Sequence, residues 1–318
     1  MQKNEMLENL LSQDKRETEI DCAVMLSGGK DSTYLLYLIT QIYHKKAVAV
    51  MVDNGFESHS KHFAAEYAKK LNVELIIINY AKEFEWFFQT QILEYQKFHK
   101  DKFNHLCITC NNLLLACATN YASEHNIPYI ITGLEKSQLN SGRKIDLDYS
   151  LKSNSIAKNT SKYILQQAKN KMKHTEIYQN NKNYRLFVNQ MFKIPSDISV
   201  IYPFLYLEYN INLIKNILVE KLDWRPPVDK EINEYVSSGC LMTKVLPQLE
   251  KIGMIQIMED AHLERLIYKD NALGTEYLKA RDVGCPNVVE LYDEIFDKLK
   301  IKEFLIKQCQ LKDLKYAE

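Results

Sequence analysis

The chain has 318 residues, and its 41 basic and 41 acidic side chains give a formal net charge of zero at pH 7. A balanced charge implies no steering of polyanions by the protein as a whole. The seven cysteines are an odd number, which argues against a closed disulfide framework. The first 21 residues carry charges throughout, and no apolar run approaches the roughly 20 residues of a membrane span, so we expect a cytoplasmic protein with no membrane partner.

The first strand and the first long helix are joined by an unusual polar stretch. Residues 22–26 have the apolar pattern of a short buried strand, and residues 33–42 carry apolar side chains at helical spacing. Ser-Gly-Gly-Lys-Asp-Ser, at residues 27–32, lies between them. Two common phosphate-binding patterns, Gly-x-x-x-x-Gly-Lys-Ser/Thr and Gly-x-Gly-x-x-Gly, do not fit this stretch. An ordinary strand-to-helix turn is the simpler alternative.

The residue types of this stretch favour an anion. Gly28 and Gly29 have no side chain that would keep a phosphate away from the backbone. Lys30 supplies a positive charge, and the following helix presents unpaired N–H groups and a favourable dipole. Further hydroxyl donors stand at Ser27, Ser32 and Thr33. We therefore predict a phosphate-binding loop.

Strands and helices alternate in the next part of the chain. Strand-like runs occupy residues 46–56, 73–80 and 127–133, and helical runs occupy residues 60–72, 84–99 and 111–126. This alternation predicts an α/β fold in which a parallel sheet carries helices on both faces. A turn at Pro203 and a helix near residues 210–222 follow, and the rest of the chain has the pattern of a helical C-terminal extension.

Ligands of such sheets bind at the carboxyl ends of the strands, where Ser27, Asp53 and Gly133 fall. Asp53 directly follows its predicted strand, which makes it a candidate for contacting the ribose or adenine of a nucleotide. A turn or helix-capping aspartate is the alternative for this position.

The chain divides into three predicted regions. Residues 1–20 form an N-terminal helical segment, residues 21–222 form the α/β domain, and residues 223–318 form the helical C-terminal region. Within the domain, residues 151–193 contain nine basic side chains and one acid, Glu176. We interpret this basic insertion either as a solvated, partly disordered segment or as a landing surface for nucleic acid or another polyanion.

The cysteine pair Cys-Ile-Thr-Cys, at Cys107 and Cys110, is placed immediately before a predicted helix, where thiolates are stabilised. The pair alone fits a redox pair, half of a metal site or coincidence. No second pair completes a four-thiolate zinc site, whereas three thiolates with an open position fit an iron–sulfur cluster. Cys22 and Cys117 lie in apolar runs and are predicted core residues.

Residues 27–32 resemble the PP-loop of the ATP pyrophosphatase superfamily. Those enzymes cleave ATP between its α and β phosphates and adenylate an oxygen of their substrate, after which a nitrogen or sulfur nucleophile expels AMP. The resemblance implies that ATP and Mg²⁺ are bound, with Lys30 and Asp31 as catalytic residues. The pyrophosphate-binding residues it implies are Ser27, Gly28, Gly29, Lys30, Asp31 and Ser32. Asp53, Thr132 and Gly133, which follow the second and fourth strands, are further candidates for contacting the nucleotide.

The loop, the later cysteines and the segment YPFLYLEYNINLI together resemble iron–sulfur-dependent sulfur transferases such as the tRNA 2-thiocytidine synthetases. This resemblance implies that Cys107, Cys110 and Cys240 hold a [4Fe–4S] cluster, with Cys285 as an alternative third ligand. The implied acceptor is a tRNA base or a small metabolite, and the implied sulfur donor is a persulfide carrier or sulfide. A homodimer is left open.

Two other hypotheses remain. The first is an amidotransferase or ligase of the same superfamily, such as an amino-sugar amidotransferase of surface polysaccharide synthesis that takes ammonia from a partner glutaminase. Its cysteines would be structural and would bind zinc. The second is a nucleotide-binding module without turnover.

Overall fold

The computed structural model describes residues 4–13, 17–57, 60–94, 106–134, 166, 169–193, 195, 197–225, 240–242, 245, 249 and 293–307. The strands are β1 Cys22–Met25, β2 Ala47–Asp53, β3 Leu75–Asn79, β4 Tyr129–Ile131 and β5 Ser199–Ile201. The helices are α1 Glu5–Leu10, α2 Lys30–Tyr37, α3 Ser60–Lys70, α4 Ala81–Leu93, α5 Leu106–Glu124, α6 Glu176–Asn180, α7 Lys182–Met191, α8 Ile211–Leu222 and α9 Asp293–Lys298. A π-helical turn, Leu38–Ile42, continues α2, and a 3₁₀ turn, Pro203–Leu205, follows β5.

The five strands form one parallel sheet in the order β3-β2-β1-β4-β5. Val24 of β1 lies opposite Ala49 of β2 on one side and opposite Ile131 of β4 on the other. Strands β2 and β3 therefore lie on one side of β1, and β4 and β5 lie on the other. In such a sheet a crevice forms at the carboxyl ends of the two strands where the order reverses, here β1 and β4. The predicted parallel α/β fold is confirmed.

Side chains of the strands alternate between two apolar cores, one on each face of the sheet. One core combines Ala23 and Val50 with side chains from α4, α5, α7 and α9. The other combines Val24 and Met51 with side chains from α1, α2, α3 and α8. A parallel sheet needs this cover on both faces, and it explains why its strands are apolar along their whole length.

The basic segment contributes to the first core. Its described part, residues 169–193, places Tyr184, Phe187 and Val188 of α7 in the interior, while Lys182 is exposed. Helix α7 is therefore amphipathic, with apolar side chains in the core and Lys182 on its outer face. Residues 151–165 lie outside the described residues.

The described C-terminal residues 293–307 also pack on this core. Phe296 and Leu299 are fully buried in it. Lys298 donates from its Nζ to the carbonyl oxygen of Gly55 and lies 4.4 Å from the centre of the Phe56 ring. The division of the chain at residue 222 stays a prediction. No helix among the described residues has both the length and the apolar character needed to cross a membrane.

Candidate active site

The polar stretch after β1 forms a short loop that ends in a helix N-terminus. Helix α2 begins at Lys30, three residues before the predicted start at Thr33. Gly29 is its N-cap residue in an extended conformation and provides no side-chain cap. The amide groups of the first turn therefore lack a side-chain acceptor, and such amides are the usual binding groups for a phosphate.

Two serines close the loop on itself. The Oγ of Ser32 accepts a hydrogen bond from the backbone N–H of Ser27 at 3.1 Å and lies 3.1 Å from the Ser27 Oγ. It also lies 3.2 Å from the carbonyl oxygen of Gly29, to which it can donate. These contacts hold both ends of the loop together without using the first-turn amides of α2.

Gly28 has a backbone conformation that other residues rarely adopt, with φ at +75°. A Cβ atom at this position would lie 2.8 Å from the Cβ of Phe63 and 3.0 Å from the backbone nitrogen of Ala64. Helix α3 thus packs directly against the loop, which leaves space for glycine alone.

We expect Gly28→Ala to lower the free energy of unfolding by about 2 kcal/mol or more, because the variant combines an unfavourable φ with a backbone clash. Chemical denaturation of both proteins measures the difference. Gly133→Ala is the comparison: its φ is not in the left-handed region and a Cβ there would lie 3.3 Å from the Ser32 nitrogen, so it should destabilise the protein less than Gly28→Ala. Equal unfolding energies for wild type and Gly28→Ala would contradict the described loop conformation.

Lys30 and Asp31 form a largely buried ion pair at the start of α2. The Nζ of Lys30 lies 3.1 Å from Oδ2 of Asp31, and the side chains are 7% and 19% exposed. The other carboxylate oxygen, Oδ1, accepts a hydrogen bond from the Tyr209 hydroxyl at 3.1 Å. The Lys30 ammonium group is therefore paired with a carboxylate that also accepts a hydrogen bond from Tyr209.

A cavity of about 380 Å³ opens at the carboxyl ends of the central strands. The loop contributes Ser27, Gly29, Asp31 and Ser32 to its lining. Thr132 and Gly133 line it after β4, and Asn54 and Glu57 line it after β2. Cys110 and Cys240 lie on the same cavity. Predicted site residues from four distant parts of the sequence thus line this cavity, whereas Gly28 and Lys30 of the loop are not among the described lining residues.

The cysteine pair Cys107 and Cys110 lies inside a helix, not before it as predicted. Helix α5 begins at Leu106, so Cys107 and Cys110 are both in its first turns. Cys110 is 8% exposed and lines the cavity. The side chain of Cys107 is not among those described, and Cys285 lies outside the described residues. Among the described side chains there is no group of three His, Cys, Asp or Glu residues at metal-binding distances.

Cys240 is brought to the cavity by the segment that follows β2. Its backbone pairs with Glu57 in an antiparallel bridge, and the Leu241 N–H donates to the Phe56 carbonyl oxygen at 2.7 Å. The side-chain nitrogen of Asn54 lies 3.9 Å from the Cys240 Sγ. Two of the three predicted cluster ligands, Cys110 and Cys240, therefore line one cavity. Both are thiols, the side-chain type that holds iron–sulfur clusters.

Asp53 makes the contact of a turn aspartate, the alternative given above for this position. It is 3% exposed, and its Oδ1 accepts a hydrogen bond from the Gly55 N–H at 2.8 Å. Its Oδ2 forms an ion pair with Lys61. Asp53 is not among the described residues that line the cavity: one of its oxygens stabilises the turn after β2 and the other pairs with helix α3. The next residue, Asn54, reaches the cavity instead.

Glu57 is a cavity residue that the sequence analysis missed. Burial raises the pKa of its carboxyl group, while a hydrogen bond from the Ser60 hydroxyl, at 2.5 Å, acts in the opposite direction. The polar run after β2 is its signal in the sequence. Cys22 and Cys117 are core residues as predicted, and burial raises the pKa of both thiols.

Comparison of the solved structures returns matches at low sequence identity. U34-tRNA thiolase NcsA from Methanococcus maripaludis, with its [4Fe–4S] cluster, is 16% identical over 84% of this chain and 78% of that chain, with a TM-score of 0.37. NH3-dependent NAD synthetase from Campylobacter jejuni is 14% identical over 59% of this chain and 89% of that chain, with a TM-score of 0.31. No curated protein sequence matches the chain.

A family model gives the more specific result. Residues 21–142 match the model described as queuosine biosynthesis protein QueC, which is somewhat more than a third of the chain. The matched range contains β1 to β4, the loop at residues 27–32 and the pair Cys107 and Cys110. With the loop at the crevice of a parallel sheet, this match confirms that the chain resembles the PP-loop ATP pyrophosphatases, a superfamily of ATP-using enzymes.

Proposed function

We propose that this chain is an ATP-dependent sulfur transferase that replaces an oxygen of its acceptor with sulfur and releases AMP and pyrophosphate. The observation that carries the proposal is the meeting of Cys110 and Cys240 with the phosphate loop on one cavity. A sulfur transferase needs thiolates beside the position where the activated substrate is formed. The acceptor is a tRNA base or a small metabolite.

The first step uses the loop. An oxygen of the acceptor attacks the α phosphorus of ATP, and the bond between the α and β phosphates breaks. The first-turn amides of α2 and the Lys30 ammonium group stabilise the charge that develops on the departing pyrophosphate. Mg²⁺ bound with ATP would supply further positive charge to the phosphates.

The second step uses the other end of the cavity. Sulfur at the oxidation level of sulfide forms a bond with the acceptor carbon, and the carbon–oxygen bond breaks so that AMP carries the oxygen away. A [4Fe–4S] cluster held by Cys107, Cys110 and Cys240 would present this sulfur next to the adenylated acceptor. The backbone bridge between Glu57 and Cys240 supports the proposal, because it holds one ligand beside the cavity.

The experiment is a metal and sulfide analysis of protein purified without oxygen, together with its visible absorption spectrum. We expect about four irons and about four sulfides per chain, with the broad absorption of an iron–sulfur cluster. Zinc, or no metal under these conditions, would contradict sulfur transfer and favour the amidotransferase hypothesis. Loaded protein is then incubated with MgATP, sulfide and either bulk tRNA or no acceptor, and AMP is measured.

A further inference from the structure

Two aromatic residues outside the loop hold it from opposite ends of α8. Tyr209 precedes the helix, and its hydroxyl donates to Oδ1 of Asp31 at 3.1 Å. Trp224 follows the helix, and its Nε1–H donates to the Gly28 carbonyl oxygen at 3.4 Å. The loop therefore has one external contact at its side-chain pair and another at its backbone.

The position of the Tyr209 hydroxyl is determined by an aromatic row. The ring of Tyr209 packs edge-on against Phe204, with their centres 5.0 Å apart. Phe204 in turn lies parallel to Tyr34 of α2, at 6.3 Å. Helix α8 begins at Ile211, two residues after Tyr209. The intervening Asn210 caps the helix, because its side chain accepts from the Leu213 N–H at 3.0 Å. Tyr209 thus has little freedom to leave Asp31.

Trp224 is held just as firmly. The Nζ of Lys70 donates to the Leu222 carbonyl oxygen at 2.6 Å, and the Arg225 N–H donates to the Tyr67 hydroxyl at 2.9 Å. Both contacts join the end of α8 to helix α3. Trp224 itself is 4% exposed. Trp224, which donates to the Gly28 carbonyl oxygen, therefore lies in a segment that is hydrogen-bonded to α3 on both sides.

The Tyr209 hydroxyl matters for the partners that Asp31 keeps when a phosphate binds. Asp31 is shared by two donors, the Lys30 ammonium group and the Tyr209 hydroxyl. When Lys30 turns to a phosphate, Asp31 loses its cation while its side chain is only 19% exposed. A poorly solvated carboxylate without a partner is costly, and a remaining hydrogen bond offsets part of that cost.

We propose that Tyr209 is a positioning residue of the triphosphate site: it keeps the Asp31 carboxylate in place and satisfied while Lys30 binds phosphate. Trp224 holds the backbone of the same loop. The inference rests on the proposed function only in that the loop binds the phosphates of ATP. It does not depend on the cluster or on the acceptor.

The test is calorimetric titration of the full-length chain with MgATP and, separately, with adenosine. For Tyr209→Phe we expect about tenfold weaker binding of MgATP, since a hydrogen bond to a charged group contributes about 1.5 kcal/mol. Adenosine binding should be unchanged, and the variant should remain folded. In an Asp31→Ala background, which has no acceptor for the Tyr209 hydroxyl, Tyr209→Phe should cause no additional loss, because the two residues act through one contact.

Tyr37→Phe is the matched control, since it removes a hydroxyl from the end of α2 and should leave MgATP binding unchanged. Unchanged MgATP binding by folded Tyr209→Phe, an equal loss for adenosine, or a full additional loss in the Asp31→Ala background would each overturn the inference. If Tyr209→Phe does not fold, Trp224→Phe replaces it, and unchanged MgATP binding again overturns the inference. A wild-type chain that does not bind MgATP overturns the proposed function as well.

Discussion

Lys30→Ala is expected to reduce the formation of AMP and pyrophosphate by at least about 100-fold, the usual effect of removing one stabilising group from a developing anion. Lys30 is the only cation that the structure places inside the described part of the loop, where its side chain is 7% exposed. Its charge acts there with little screening by solvent. Release of labelled pyrophosphate from ATP, in the presence of acceptor and sulfide, measures the effect.

The fold of Lys30→Ala should survive, because Tyr209 continues to donate to the remaining Asp31 carboxylate. Thermal unfolding checks this point. Lys221→Ala is the matched control: Lys221 lies on α8, pairs with Glu220 at the surface and is half exposed. Turnover by folded Lys30→Ala close to that of Lys221→Ala would contradict the assignment of the loop as the phosphate site.

Cys110→Ala is expected to lose most of the iron and the visible absorption of protein purified without oxygen. Cys110 and Cys240 line one cavity, so each would supply a thiolate from a different part of the fold. A three-cysteine set that loses one ligand leaves two irons without protein thiolates. Iron analysis and absorption spectra of Cys110→Ala and Cys240→Ala measure the loss, and both variants should behave alike.

The control for this experiment lies on the same helix. Cys117 is 2% exposed in the apolar core and does not belong to the described lining of the cavity, so Cys117→Ala should keep its iron. Lys30→Ala should keep it too, because the loop and the cysteines act on different reactants. A fully loaded Cys110→Ala protein would remove this residue from the ligand set and would weaken the sulfur-transfer proposal.

The strands β1, β2 and β4 could be predicted from sequence because a strand buried on both faces is apolar along nearly its whole length. Edge strand β3 was predicted from its run of isoleucines, although Ile77 is exposed. Strand β5 could not be predicted. It has three residues, Ser199–Ile201, and its identity as a strand depends on pairing with β4. The contribution of residues 169–193 to the core was also not predicted, because the basic side chains of this segment are more conspicuous in sequence than the apolar positions of α7 that face the core.

What the sequence by itself determined is local. The hexapeptide at residues 27–32 specifies a turn, a helix start and a charge within a few residues, so its chemistry could be recognised without a fold. The tertiary structure decided which distant groups join it: Cys240 through its bridge to Glu57, Tyr209 through Asp31, and Asn54 in place of Asp53. These contacts depend on the path of the backbone between residues far apart in the chain, and that path follows from packing of the two cores.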